Sequence, residues 1–165
     1  MFILIVGPKG SGKSHIGRIL ERRLGVHFFH VEPLWIGYHV ECKSSGRDVS
    51  IAEGIARIHP LIAAALRHHE HVCVETTGAS REILDDLLSL APREQTLVVR
   101  VTAPVEVCLE RIAARNQTEQ IPMDVESIRE VHALSENAGI EPDVVLRNVD
   151  LTEEAIVSAI RPLLS

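Results

Sequence analysis

Residues 2–14 have the sequence FILIVGPKGSGKS, in which an apolar run passes directly into a glycine-rich loop. The loop fits the pattern GxxxxGK[ST], and a run of residues with helical spacing follows it. Glycines allow successive backbone N–H groups to converge on one centre, and the start of a helix favours an anion there. The stretch therefore predicts a strand, a helix and, between them, a phosphate-binding loop made of Gly7, Pro8, Lys9, Gly10, Ser11, Gly12, Lys13 and Ser14.

Two side chains at the end of this loop have specific predicted roles. Lys13 supplies a mobile positive charge for the β and γ phosphates of a nucleoside triphosphate. The hydroxyl of Ser14 is placed to bind Mg²⁺. The loop therefore predicts that the protein binds a nucleoside triphosphate together with Mg²⁺.

The composition limits the possible classes of protein. The 165 residues suffice for one sizeable core, and we predict a single domain over residues 1–165. A net charge of −6 argues against a general nucleic-acid or membrane-surface binder. No apolar run is long enough for a membrane span or a secretory signal. The three cysteines follow no disulfide or metal-ligand pattern, which favours a reducing compartment, so we expect a cytoplasmic protein.

The rest of the chain alternates between strand and helix patterns. After the first strand, apolar or β-branched runs predict further strands at residues 26–31, 71–75, 96–101 and 144–146. Residues 33–48 lack periodicity and are predicted as a loop or mobile segment, and Pro60 predicts a break between two short helices. Such alternation predicts a parallel sheet with helices on both faces, which binds ligands beyond the carboxyl ends of its strands.

The chain resembles the small P-loop kinases, the group that contains shikimate kinase, gluconate kinase and the adenylate kinase type. The resemblance covers nearly the whole chain and rests on the phosphate-binding loop, Glu32, residues 74–78, the pair Arg111 and Arg115, and residues 142–148. It implies an α/β, three-layer P-loop NTPase fold, whose five-stranded parallel sheet has the order 2-3-1-4-5. It also implies a substrate-binding segment at about residues 33–68 and a lid at about residues 116–123.

The resemblance assigns residues to the nucleotide and the metal. Arg111 and Arg115 are four residues apart and share one face of a predicted helix. The resemblance implies that Arg111 packs on adenine, that Arg115 contacts the transferring phosphoryl group, and that Asn148 belongs to the nucleotide site. Glu75 ends a buried strand, where a carboxylate needs a partner; it either holds Mg²⁺ through water or has a purely structural hydrogen-bonding role.

The acceptor side follows the family less closely. Glu32 falls where shikimate kinase has an aspartate that contacts the substrate, so it is a candidate to receive or orient the hydroxyl proton of the acceptor. Arg57 and the segment Thr76, Thr77 and Gly78 complete the predicted substrate site. Shikimate kinase has three glycines where this chain has Thr76-Thr77-Gly78, and the Asp-Gly-Phe-Pro-Arg motif of adenylate kinase is absent. The sequence thus indicates neither shikimate nor AMP as the acceptor.

Three functions remain open at the level of sequence. The first is an ATP- and Mg²⁺-dependent phosphotransferase, monomeric or homodimeric, that acts on a small hydroxyl- or phosphate-bearing acceptor. The second is a kinase of nucleotides or polynucleotide 5′ ends. The third is a non-catalytic regulator that binds a nucleotide, although the chain has no Asn-Lys-x-Asp guanine signature. Near the predicted cleft, His30, His39 and His59 are either part of the site or histidines that lie at the surface or are satisfied by structural hydrogen bonds. Trp35 and Tyr38 either line an acceptor pocket or anchor a loop.

Overall fold

The computed structural model describes residues 1–115, 121 and 123–164. Its strands are β1 (Phe2–Val6), β2 (His27–Phe29), β3 (Val72–Thr76), β4 (Thr96–Thr102) and β5 (Val144–Arg147). Its α-helices are α1 (Lys13–Leu24), α2 (Glu32–Ser44), α3 (Ile51–His68), α4 (Arg81–Leu88), α5 (Val105–Ala113), α6 (Val125–Glu136) and α7 (Glu153–Ile160). Most of the predicted lid, residues 116–120 and 122, lies outside the described residues.

The five strands form one parallel sheet in the order β2-β3-β1-β4-β5, which confirms the predicted topology. The central strand is β1, in which Phe2 is aligned with Val72 of β3 on one side and with Thr96 of β4 on the other. Since all strands are parallel, their carboxyl ends meet at one edge. The loop after Val6 therefore emerges at the middle of that edge.

Alternate residues of the sheet face two separate cores. Ile3 and Ile5 of β1 pack with side chains of α1 and α7, whereas Phe2, Leu4 and Val6 pack with side chains of α3 and α4. Every residue of β1 is buried, as expected of a strand that is covered on both faces. The α3 and α4 side matters for function, because these helices continue past the core to form one wall of the cavity described below.

The prediction of a loop or mobile segment at residues 33–48 was wrong, because α2 occupies most of that range. Within this helix only Tyr38 and Cys42 are buried, so its apolar pattern is too weak to indicate a helix. Tyr38 donates a hydrogen bond to the backbone oxygen of Ser50 (3.1 Å) and accepts one from its N–H (3.0 Å). Contacts to the start of α3 therefore stabilise a helix that the local sequence pattern does not predict.

The predicted break at Pro60 was also wrong, because α3 continues through it from Ile51 to His68. Proline removes the hydrogen bond to the carbonyl group four residues earlier, here that of Ala56. Both residues lie on the exposed face of the helix, so water can satisfy that carbonyl group. The opposite face keeps Ile58 and Ile62 in the core, and α3 presents one continuous surface.

Candidate active site

The loop between β1 and α1 has the backbone conformation that its glycines predict. Gly10 and Gly12 have positive φ angles of 82° and 96°. A Cβ atom at Gly12 would lie 2.1 Å from Nδ2 of Asn148, and one at Gly10 would lie 2.5 Å from the carbonyl oxygen of Cys108. Gly12 is also the N-cap of α1 and has no side chain to bond its first N–H groups, which leaves them to an anion.

Two residues brace this loop from behind. Asn148 donates from Nδ2 to the carbonyl oxygen of Ser11 (2.7 Å), and its own N–H donates to Thr102 (2.8 Å). Arg111 donates to the carbonyl oxygens of Ser11 (3.4 Å) and Asn148 (3.0 Å). The two residues thereby tie the loop to the ends of β4 and β5 and to α5. The residues that the resemblance assigned to the nucleotide thus lie directly against the phosphate-binding loop.

Lys13 is a buried cation at the centre of the site. Its ammonium group donates to the carbonyl oxygen of Pro8 (3.0 Å), and the residue as a whole is only 7% exposed. Burial lowers the pKa of Lys13; the carboxylates of Glu75 and Glu32 oppose this shift, and Arg115 adds to it. A desolvated cation of this kind is stabilised by an incoming anion, such as the phosphates of a nucleotide.

A hydroxyl group and a carboxylate lie beside Lys13, where β3 ends. The hydroxyl group of Ser14 donates to the carboxylate of Glu75, whose two oxygens are each 2.9 Å away. His30 lies with Nε2 3.3 Å from Oε1 of Glu75 and 4.0 Å from Oε2 of Glu32. A hydroxyl beside a buried carboxylate is a donor set that suits Mg²⁺, which prefers few protein oxygens together with phosphates and water. In the described part of the chain, this site included, no group of three or more His, Cys, Asp or Glu side chains could by itself hold a metal ion.

Lys9 and Arg115 add positive charge at the rim of the site. The ammonium group of Lys9 donates to the carbonyl oxygen of Ile121 (2.5 Å). Burial lowers the pKa of Lys9, Glu32 opposes this shift, and Arg115 adds to it. Arg115 therefore lies close enough to interact with both lysines of the loop. This cluster suits a group that carries several negative charges.

A single cavity of about 420 Å³ extends from the loop into the space between α2, α3 and α4. Its phosphate end contains most of the residues that the sequence assigned to catalysis and binding: Lys9, Gly10, Gly12, Lys13, Ser14, Glu32, Glu75, Thr76, Thr77 and Arg115. Its other end, called here the acceptor end, is lined mainly by Trp35, His39, Val49, Ile51, Ile55, Ile58, His59, Ile62, Ile83, Asp86 and Leu87. The cavity thus joins a charged end to a predominantly apolar one.

The acceptor end is built by contacts between helices. Trp35 of α2 packs on Gly54 of α3, where a Cβ atom would lie 2.2 Å from the indole ring. His59 of α3 pairs through Nδ1 with Oδ1 of Asp86 on α4 at 2.8 Å. Both side chains of this pair line the cavity and are partly buried, with 34% and 22% exposed. They introduce a polar group into an otherwise apolar wall.

Arg57 lies away from this cavity. Its guanidinium group donates to Glu41 (2.6 and 3.0 Å) and Glu53 (2.8 Å), and it stacks over the ring of Tyr38 at 4.8 Å. Arg57 thus belongs to the contact between α2 and α3.

The turn after β3 contains the other predicted substrate residues. Gly78 in this turn has a positive φ of 72° and is not among the residues that line the cavity. Thr76 and Thr77 line the cavity, and their hydroxyls accept hydrogen bonds from the N–H groups of that turn.

Sequence reasoning missed much of the acceptor end. The spacing of Ile51, Ile55, Ile58 and Ile62 indicates an apolar helix face, but a face that lines a cavity and one that packs in a core have the same pattern. Asp86 had no sequence signal, because an aspartate on an amphipathic helix is typical of a solvent-exposed face. The one indication of the acceptor end in the sequence was His59, which was predicted to fall near the cleft and which lines the cavity.

A loop of this kind after the central strand of a 2-3-1-4-5 parallel sheet defines a P-loop nucleotide-binding protein. A model of the family described as AAA domain matches residues 2–135, and the chain belongs to that family.

Individual relatives are small-molecule kinases. The chain is 28% identical over 161 residues to a shikimate kinase of Geobacter metallireducens, which covers 93% of this chain and 84% of the relative. Among solved structures, a gluconokinase from Sinorhizobium meliloti has a TM-score of 0.66 at 22% identity, covering 98% of this chain and 90% of that one. A shikimate kinase from Acinetobacter baumannii in complex with shikimate has a TM-score of 0.60 at 19% identity, covering 99% and 92%.

These similarities confirm the resemblance to the small P-loop kinases and the enzyme class, a P-loop small-molecule kinase. Among the described residues no helix has the length and hydropathy needed to cross a bilayer.

Proposed function

We propose that the protein transfers the γ-phosphoryl group of ATP, with Mg²⁺, to a hydroxyl group of a small molecule bound at the acceptor end of the cavity. The observation that supports this proposal best is the continuity of that cavity, which runs from Lys13 and Ser14 of the loop to the space between α2, α3 and α4. Phosphoryl transfer depends mainly on positioning and on stabilising charge, and one shared cavity serves both.

The phosphate end would bind the triphosphate. The backbone N–H groups of the loop, together with Lys13 and Lys9, would hold the β and γ phosphates, and Arg115 would stabilise the charge on the group in transfer. Arg111 uses the N–H groups in the plane of its guanidinium for Ser11 and Asn148. Its planar face therefore remains the part that suits stacking on adenine.

Ser14 and Glu75 would hold Mg²⁺, Ser14 directly and Glu75 directly or through water. When bound, the ion neutralises negative charge on the phosphates. The hydrogen bond from the hydroxyl group of Ser14 to Glu75 holds these two groups beside each other.

Glu32 would act on the acceptor. It begins α2 at the carboxyl edge of the sheet, and its charge acts on both Lys9 and Lys13. It would accept a hydrogen bond from the acceptor hydroxyl, whose oxygen attacks the γ phosphorus while the bond to the bridging oxygen of ADP breaks. The proton of that hydroxyl leaves with Glu32 or passes to solvent as the new phosphate ester forms.

The test is ADP release from ATP and, separately, from GTP, with and without Mg²⁺, in the presence of panels of small alcohols, nucleosides, nucleotides and oligonucleotides. Stimulation by a small alcohol that requires both ATP and Mg²⁺ is the expected result. Stimulation only by the nucleic-acid panels would instead indicate a nucleotide or 5′-end kinase. Tight nucleotide binding without stimulation by any acceptor would indicate a regulator and contradict the proposal.

A further inference from the structure

The acceptor end has a chemical character of its own. The side chains that α3 and α4 present to it are mostly aliphatic, and α2 adds the indole of Trp35. Burial of apolar ligand surface against such walls is favourable. The same walls cannot satisfy a ligand with many hydroxyl groups, each of which would lose its hydrogen bonds to water. The wall therefore selects for apolar surface on the ligand.

The acceptor end also has no permanent positive charge among the described residues. Its ionisable side chains are His39, His59 and Asp86, whereas the other charged side chains of the lining, Lys9, Lys13, Glu32, Glu75 and Arg115, belong to the phosphate end. Arg57, the basic residue of α3 that could otherwise serve, is paired with Glu41 and Glu53. Residues 116–120 and 122 contain no lysine or arginine in the sequence. A carboxylate on the acceptor would therefore meet Asp86 without an arginine or lysine to neutralise it.

The pair of His59 and Asp86 lies in the wall of this apolar end, partly buried. Helix α3 leads to the amino end of β3, so it runs away from the edge that bears the phosphate-binding loop. His59 is eight residues beyond Ile51, or about 12 Å along the helix at its usual rise. Asp86 occupies Nδ1 of His59, which leaves Nε2 to a ligand. In the neutral ring this nitrogen accepts a hydrogen bond, as from a hydroxyl group.

We propose that the acceptor is an uncharged, mainly apolar alcohol that carries a second hydroxyl group, and that His59, held by Asp86, binds this second group. This inference rests on the proposed phosphotransfer, since it describes the molecule that receives the phosphoryl group. It differs from what the names of the relatives suggest, because shikimate and gluconate are carboxylates with several hydroxyl groups. The aliphatic walls of the acceptor end thus favour an acceptor with an apolar framework, and the pair of His59 and Asp86 favours a second hydroxyl group on that framework.

The test uses the fluorescence of Trp35, which is the only tryptophan of the chain and lines the cavity. Three probes share one ring: cyclohexane-1,4-dimethanol, cyclohexanemethanol without the second hydroxyl group, and 4-(hydroxymethyl)cyclohexane-1-carboxylate with a charge in its place. Shikimate and gluconate complete the set. We expect the diol to bind at least about tenfold more tightly than the hydroxy acid and several-fold more tightly than the mono-alcohol.

Variants of two adjacent aspartates supply the matched control. Asp86→Asn removes the charge but keeps an oxygen for Nδ1 of His59, so the preference for the diol over the hydroxy acid should narrow several-fold. Asp85→Asn changes the neighbouring residue, which is 53% exposed and paired with Arg81, and should leave the preference unchanged. Thermal unfolding of both variants verifies that they are folded.

Binding is measured without nucleotide, so it is independent of phosphoryl transfer. If the diol binds preferentially but no probe supports ADP release, the inference about the ligand of the acceptor end is supported and the proposed phosphotransfer is contradicted. If the hydroxy acid, shikimate or gluconate binds as tightly as the diol, or if the diol gives no response at millimolar concentration, the acceptor chemistry is overturned. The preference of the unmodified protein decides this even if Asp86→Asn does not fold.

Discussion

The two ends of the cavity are built in different ways. At the phosphate end, backbone N–H groups of the loop and a buried ammonium group create the site, and Asn148 and Arg111 fix the loop through its carbonyl groups. At the acceptor end, side chains of α2, α3 and α4 create the site, and their backbone groups are used within the helices. A site made from backbone requires glycines at fixed positions, whereas a site made from side chains can change residue by residue.

This difference explains how a kinase fold can keep its nucleotide while it changes its acceptor. The loop leaves few alternatives, because Gly12 has no room for a Cβ atom beside Asn148. The acceptor end imposes no such limit, since an isoleucine at a wall position such as Ile55 can be exchanged without disturbing the sheet. Substitutions should therefore separate the ends, with large effects on phosphate binding and smaller, selective effects on the acceptor.

The largest effect is expected from Lys13→Met. Methionine fills a similar volume but removes the charge that we propose binds the β and γ phosphates, so kcat/KM for phosphoryl transfer should fall by about 10³-fold. Lys43→Met, on the exposed side of α2, is the matched control and should leave transfer unchanged. The measurement is steady-state ADP release, with circular dichroism to verify the fold. A folded Lys13→Met protein with normal turnover would contradict the assignment of the phosphate end.

The next effect concerns the backbone of the loop. Gly12→Ala places a Cβ atom against Nδ2 of Asn148 at a φ of 96°, whereas Gly25→Ala has a φ of 69° with nothing within 4 Å. Both substitutions cost about 1–2 kcal/mol for a left-handed residue, and Gly12→Ala also displaces the side chain of Asn148, so its melting temperature should fall further than that of Gly25→Ala. Only Gly12→Ala should also weaken the binding of a non-hydrolysable ATP analogue, by about 10- to 100-fold in titration calorimetry. Equal loss of binding in both variants would show that general destabilisation, and not the loop contact, is responsible.

The same contrast governs what could be predicted from the sequence. The order of the strands and the position of the loop follow from patterns that are local and conformational, such as glycines behind a buried strand. Helix α2 could not be predicted, because just Tyr38 and Cys42 are buried in it and the contacts that stabilise it come from the start of α3. The interruption predicted at Pro60 did not occur, because that residue lies on the exposed side of the helix.

For the candidate site, the sequence placed Lys13, Ser14, Glu32 and Glu75 together, and the structure brings them to one end of one cavity. The sequence predicted Arg57 as part of the substrate site, but it carries no signal for the ion pairs with Glu41 and Glu53 that hold Arg57 at the surface. Side-chain direction at the acceptor end depends on how three helices pack, and no motif records that packing. The phosphate end, where a loop motif and the ends of strands fix the positions of the residues, can thus be predicted from sequence, whereas the acceptor end, which depends on helix packing, cannot.

Ligand binding at the two ends of the cavity should also differ in its dependence on pH. Burial lowers the pKa of Lys13 from its ordinary value of 10.5, so the free protein loses this charge at a lower pH than an exposed lysine would. The phosphates bind the charged form; raising the pH through the lowered pKa should therefore raise KM for ATP, by at most about tenfold per pH unit. Binding of a neutral acceptor, followed by Trp35 fluorescence, should stay constant over the same range.

Lys9 is the control for this prediction, because burial lowers its pKa as well. If the rise in KM for ATP persists in Lys9→Met, the titrating group is the buried lysine of the loop. A rise that disappears in Lys9→Met, or an equal rise in acceptor binding, would contradict a titration confined to Lys13.

The smallest effect tests the wall of the acceptor end. Gly54→Ala adds a Cβ atom that would lie 2.2 Å from the ring of Trp35, and the indole must move to make room for it. Gly37→Ala makes the same chemical change on α2 where nothing lies within 4 Å, and both positions gain helix propensity. We expect Gly54→Ala to raise KM for the best alcohol acceptor about threefold and to shift the emission of Trp35, with KM for ATP unchanged. Gly37→Ala should change none of these quantities. If Gly54→Ala raised KM for ATP as much as KM for the acceptor, the two ends would be coupled through α3, and the division between a backbone-built and a side-chain-built end would fail.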